Sequence, residues 1–136
     1  MKKYELTTET KEVFGITLYR VRALNSFKYA QAGELGGWIE KEDNLAQEGN
    51  AWVSGDTKVF DNAKVSGNTW VFGNAQVFGN AWVFDKAQVF DKAWVFDNAQ
   101  VYGNARVSGK ERVFGKARVS GKERVSGNAR VSGFCF

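Results

Sequence analysis

Few residues in this 136-residue chain are suited to covalent chemistry. It has no histidine, so the commonest general base is missing. Its single cysteine, Cys135, cannot close an internal disulfide, and the carboxylates are scattered with no base beside them. The one glycine-rich run, Gly33 to Gly37, leads into Trp38-Ile39 rather than the Lys-Ser or Lys-Thr of a phosphate loop. Its paired glycines predict a tight turn that delivers Trp38 and Ile39 to the next element. No catalytic residue, metal ligand or cofactor is expected. What does recur at fixed spacing is the chemistry of binding, with Trp, Phe and Arg returning on a six-residue period.

That period defines the element positioning them. Gly49 to Ser132 reads as fourteen consecutive six-residue units, with a degenerate unit at Asp43–Glu48 before them. A short fixed period signals a solenoid. The fifth position is always Val, from Val53 to Val131, and the third is mostly Ala, with Thr57, Thr69, Glu111 and Glu123 as exceptions. In extended chain, residues two apart share a face. Ala and Val therefore form the interior, and the fourth and sixth positions point outward. The first position is Gly or Asp, which suits a corner at positive φ. Proline is absent, as continuous ladders require. Three units make a coil of eighteen residues, its parallel strands stacked roughly 4.8 Å apart. The expected fold is all-β: a left-handed parallel β-helix of about five triangular coils over 43–132, an N-terminal β cap over 1–42, and a tail at 133–136. A flatter solenoid with two units per turn is the alternative.

Residues eighteen apart should then stack. The fourth-position columns run Trp52, Trp70, Gln88, Arg106, Arg124; Lys58, Gln76, Trp94, Arg112, Arg130; and Lys64, Trp82, Gln100, Arg118. The longest aromatic column is Phe60, Phe78, Phe96, Phe114 at the sixth position. Stacked aromatics stabilise a sheet by up to ~1 kcal/mol a pair, and contiguous apolar patches also mark interfaces. Both readings stand. The binding reading assigns Phe60, Phe78, Phe96, Phe114, Trp52, Trp70, Trp82 and Trp94 to protein contact or self-association. Phe134 and Phe136 either fold over the last coil or pair with another copy.

Charge is uneven. The net charge is +4, and the excess sits in the last coils, at Arg106, Arg112, Arg118, Arg124, Arg130, Lys110, Lys116 and Lys122. Such a collar suits nucleic acid or an acidic protein surface. It lies on all three faces, so no single groove is implied. Glu111 and Glu123, in the inward column, predict a loose corner. Met1-Lys2-Lys3 precedes polar residues rather than an apolar run, and no stretch reaches the ~20 apolar residues of a spanning helix. A cytoplasmic protein without a membrane partner is expected.

Upstream, Tyr4–Thr7 reads as a strand, and the segments flanking Gly15 read as a hairpin or bulged strand. Leu18-Tyr19-Arg20-Val21-Arg22-Ala23, Phe27, Ala32-Gly33, Gly36-Gly37-Trp38-Ile39 and Asn44 to Asn50 with Trp52 resemble the start of the YdcK-type hexapeptide-repeat proteins. That resemblance implies a left-handed β-helix behind a small β cap. Members occur in bacteria and in phage genomes and are often named transferases, although a fold does not fix a function. Acyltransferases of this fold use a histidine, which this chain lacks. The expected function is a non-enzymatic binding protein that contacts another protein and self-associates, and the phage link suggests an inhibitor or modulator of a host defence system. Nucleic-acid binding and a divergent acyltransferase are the alternatives.

Overall fold

The computed structural model describes residues 2–120 and the strand backbone of 124–125 and 130–132. Every inward Val from Val53 to Val119 is buried, as are the inward Ala and Thr57 and Thr69. These side chains form one continuous apolar column, and the phenylalanines of the array stand outside it. Each buried Val contributes roughly 1.5–3 kcal/mol.

The strands are two or three residues long and stack in three parallel sheets. The first face runs from Trp52–Val53 through Trp70–Val71, Gln88–Val89 and Arg106–Val107 to Arg124–Val125. The second runs from Lys58–Val59 through Gln76–Val77, Trp94–Val95 and Arg112–Phe114 to Arg130–Ser132. The third runs from Lys64–Val65 through Trp82–Val83 and Gln100–Val101 to Arg118–Val119. Register pairs Trp52 with Trp70 and Gln76 with Trp94, eighteen residues apart, so the coil has three sides. The flatter alternative is excluded.

Corners sit at the first position, as the Gly/Asp column requires. Asp61, Asp85, Asp91 and Asp97 all adopt φ near +60°, between 58° and 62°. Each Oδ2 accepts the N–H of a glycine one coil later, at 3.2 Å: Gly79, Gly103, Gly109 and Gly115. An aspartate corner therefore stacks under a glycine corner, and its carboxylate occupies a donor that would otherwise face water.

The N-terminal part is the expected small β cap, with two differences in detail. β1 (Tyr4–Val13) and β2 (Ile16–Ala23) form one antiparallel hairpin, closed by Phe14 and Gly15 at φ 54° and 79°. The two short strands read upstream of Gly15 are thus one strand, with a bulge between Leu6 and Thr10. β3 (Leu35–Ile39) pairs antiparallel with β2 and parallel with Lys58–Val59, so the hairpin extends the second face. Gly36 and Gly37 are therefore strand residues and make no turn. They are glycines because the first coil lies against them. A Cβ on Gly36 would meet Val53 O at 2.5 Å and the Trp52 ring at 2.6 Å; one on Gly37 would meet Thr57 Oγ1 at 2.3 Å.

The degenerate unit Asp43–Glu48 stacks out of phase. Leu45 pairs with Val65, where an uninterrupted period would place Gln47. The two extra residues push Gln47 outward. Its Oε1 accepts Lys3 N–H at 2.8 Å, and its Nε2 donates to Tyr4 O at 3.3 Å, tying the hairpin down. Tyr4 OH donates to Leu45 O at 2.6 Å. Lys3 is buried with Nζ donating to Ala51 O at 2.6 Å, and burial pushes its ammonium down to about 8.

Candidate functional site

The outward columns are the candidate site. On the second face, Phe60, Phe78, Phe96 and Phe114 form an unbroken stack with ring centres 5.0, 5.0 and 5.3 Å apart and planes within 10°. The short period creates this. Identical rings on strands one coil apart meet face to face and shield one another. Shorter stacks lie on the other faces, Phe72 on Phe90 at 4.8 Å and Phe84 on Tyr102 at 4.9 Å.

The tryptophans each find a different neighbour. Trp70 Nε1 donates to Ser54 Oγ at 3.0 Å, and Trp82 Nε1 to Ser66 Oγ at 3.1 Å. Both partners lie sixteen residues back, in the coil before. For Trp94 that place holds Phe78, so its ring instead meets Phe78 edge-on at 5.6 Å. The open side of Trp94 carries the Arg112 guanidinium, 4.3 Å from the ring centre. Arg112 Nη1 also donates to Lys110 O at 3.0 Å and Glu111 O at 3.2 Å.

Two of the expected contact residues cannot meet a partner. Trp52 is fully buried beneath Phe27 and Tyr4, with ring centres 5.2 and 6.4 Å away. Phe60 is 2 % exposed, enclosed with Leu18 and Trp38 and flanked by Phe14. The hairpin, with Phe27 of the loop that follows it, covers both. Its paired half closes the first coil, and its tip overhangs β3 and reaches the second face. Trp70 is partly covered too, stacked on Tyr29 at 4.8 Å. Phe78, Phe96, Phe114 and Trp94 remain half-open, and Trp82 is exposed. Nothing in the hexad period distinguishes Trp52 from Trp70; the signal lay in the apolar pattern of the hairpin.

The basic residues do not converge. Arg106 is exposed on the first face, Arg112 lies on the second and Arg118 is exposed on the third, with Lys110 and Lys116 exposed at corners. Lys122, Phe134 and Phe136, and the side chains of Arg124 and Arg130, lie outside the described residues, as do Glu123 and Cys135. Glu111 is fully buried at its inward position, and the strand that follows it pairs in register with Trp94–Val95. Among the described residues no group of three His, Cys, Asp or Glu side chains is placed to hold a metal ion, and no helix is long and apolar enough to cross a membrane.

A three-sided parallel β-solenoid begun by a hairpin and clad in aromatic ladders is the class of protein these features define. Its repeats are similar to those of the YdcK type. The model of the YdcK β-solenoid repeat matches residues 99–111. The chain is also 36% identical over 61 residues to a protein of Escherichia coli (strain K12) named "Uncharacterized acetyltransferase YdcK". That match covers 39% of this chain and 19% of the relative, so the chain spans about a fifth of the relative's length.

Proposed function

We propose that this protein acts by binding another protein through the second face of its solenoid, without catalysing a reaction. The observation that carries the reading is the Phe78–Phe96–Phe114 stack with Trp94 beside it, half-open to solvent along three consecutive coils. Aromatic side chains with arginine at the edge are the usual composition of an interface centre. A second copy of the chain is one possible occupant, which would make the protein a homo-oligomer. The narrower reading, an inhibitor or modulator of a host defence machine, rests on the resemblance to repeat proteins of phage genomes.

The test compares the chain with Phe96→Ser. Sedimentation velocity at high micromolar concentration reads self-association. Affinity capture from host lysate, with and without nuclease, reads a different protein partner. The proposal expects a nuclease-resistant partner or an oligomer that Phe96→Ser loses. Identical behaviour of the two proteins in both assays would overturn it.

Acetyl transfer is the second reading, favoured by the printed name of the relative. The chain supplies no histidine for that chemistry. Calorimetric titration with acetyl-CoA separates the two, since a binding protein of the proposed kind releases no heat.

A further inference from the structure

The second face is the one to whose fourth-position cations the hairpin adds another. Its fourth-position column begins with Trp38 and Lys58 and ends, within the described residues, at Arg112. Lys11 of β1 joins it, with Nζ 4.7 Å from the Trp38 ring centre. Lys58 Nζ donates to the backbone carbonyl of Asp56 at 3.1 Å, and Arg112 donates to carbonyls and covers Trp94. Among the described residues no carboxylate lies within ion-pair distance of Lys11, Lys58 or Arg112; the ion pairs formed are Lys2–Glu42, Arg20–Glu9 and Arg22–Glu5. Burial, and then the charge of Lys11, hold the Lys58 ammonium below its usual pKa. Asp56 opposes that shift without forming an ion pair, and Lys11 and Lys58 repel.

The ladder beside them carries the same sign. Its rings lie face to face, so the faces are spent on one another and the rims point outward. An aromatic face is negative and its edge positive. The surface is therefore positive at Lys11 and Lys58, along the ring edges, and at Arg112. A second copy packed here would set like charge against like. Nucleic acid would find charge but no open ring face on which a base could stack, because Arg112 occupies that of Trp94.

We propose that the second face takes an acidic, partly apolar segment of a different protein. One carboxylate meets Lys11 and Lys58 and another meets Arg112. An apolar side chain fills the shallow depression of about 250 Å³ lined by Trp94, Phe96, Arg112 and Phe114. Lys58 and Arg112 are three coils apart, roughly 14 Å at ~4.8 Å per coil, which an extended chain spans in about four residues. The inference rests on the second face being the binding surface and adds the chemistry of its occupant.

Three probes test it by fluorescence anisotropy on the full chain: a short labelled peptide with leucines and an aspartate at every fourth residue, its lysine counterpart, and a labelled oligothymidylate. The expected result is binding of the acidic peptide alone. It should weaken at least about tenfold in Lys58→Gln/Arg112→Gln, which removes both charge contacts, and weaken with added salt. Urea unfolding confirms that the double variant is folded. Equal binding of the two peptides, no binding of either, an unchanged affinity in the double variant, or tighter binding of the oligonucleotide would each overturn the inference. If the peptides fail while Phe96→Ser still abolishes capture or oligomerisation, the binding function stands and only the acidic occupant falls. If Phe96→Ser is also silent, both fall.

Discussion

Replacing Asp91 by Ala, Gly and Asn separates two energies that the corner combines. Asp91 sits at φ 60°, and its Oδ2 accepts Gly109 N–H at 3.2 Å in an exposed position. An exposed bond of this kind is worth about 1 kcal/mol. Holding a residue with a Cβ at positive φ costs about 1 kcal/mol, less for Asp or Asn. Asp91→Ala loses the bond and keeps the backbone cost, so it should destabilise by about 1–2 kcal/mol. Asp91→Gly loses the bond and relieves the backbone, so the two terms nearly cancel. Asn keeps an acceptor and should fall between. Equilibrium urea unfolding reads this directly. With a slope of about 1–3 kcal/mol/M, Ala should lower the midpoint by roughly 0.5–1 M and Gly by much less. Equal midpoints for Ala and Gly would refute the backbone term. Equal midpoints for Ala and wild type would show that the carboxylate does not hold the next coil.

Gly36→Ala should destabilise by about 3 kcal/mol, since its Cβ meets three atoms closer than 3 Å, one of them a backbone carbonyl. Urea unfolding checks it, and Gly33→Ala, where that space is open, should cost only about 1 kcal/mol of φ strain. Trp70→Phe removes the N–H that reaches Ser54 and should cost about 1 kcal/mol beyond the loss of ring area, with Ser54→Ala showing no additional effect in a double-mutant cycle. Lys3 makes stability depend on pH. Its folded pKa of about 8 lies below its usual 10.5, so the unfolded chain holds the proton longer. Stability from this group is flat below about pH 8 and rises between about 8 and 10.5. The unfolding midpoint of wild type relative to Lys3→Met should climb across that window; a constant difference would show that Lys3 is not desolvated.

Much of the solenoid was legible because a six-residue period leaves little freedom. Val53 to Val119 had to be inside, Trp70 and Phe78 outside, and eighteen-residue register followed from closing a triangle. Local spacing could not show where the hairpin lands. Gly36 and Gly37 read as a turn because glycine pairs favour turns, yet here they admit the first coil to within contact of β3. Leu45 took the inward place expected two residues later, because its apolar burial outweighed the phase of the repeat. The Asp91–Gly109 and Trp70–Ser54 contacts join residues eighteen and sixteen apart. They become visible only once coils are stacked and side chains are given a direction.

The hairpin also decides which part of the surface can act. Within the repeat, Phe60 and Phe78 are equivalent, as are Trp52 and Trp70. The hairpin encloses Phe60 and Trp52, so their aromatic surface contributes to stability. The same strand ends bring Lys11 beside Lys58, placing cations at the head of the one long ladder. The ladder therefore stays open from Phe78 onward, bounded by Lys11 and Lys58 at one end and by Arg112 toward the other. Deleting the repeat's periodicity would destroy the fold. Moving the hairpin tip, by Phe14→Gly or Leu18→Ala, should instead leave the coils intact and change only how much of this face is open, which binding of the acidic peptide would register.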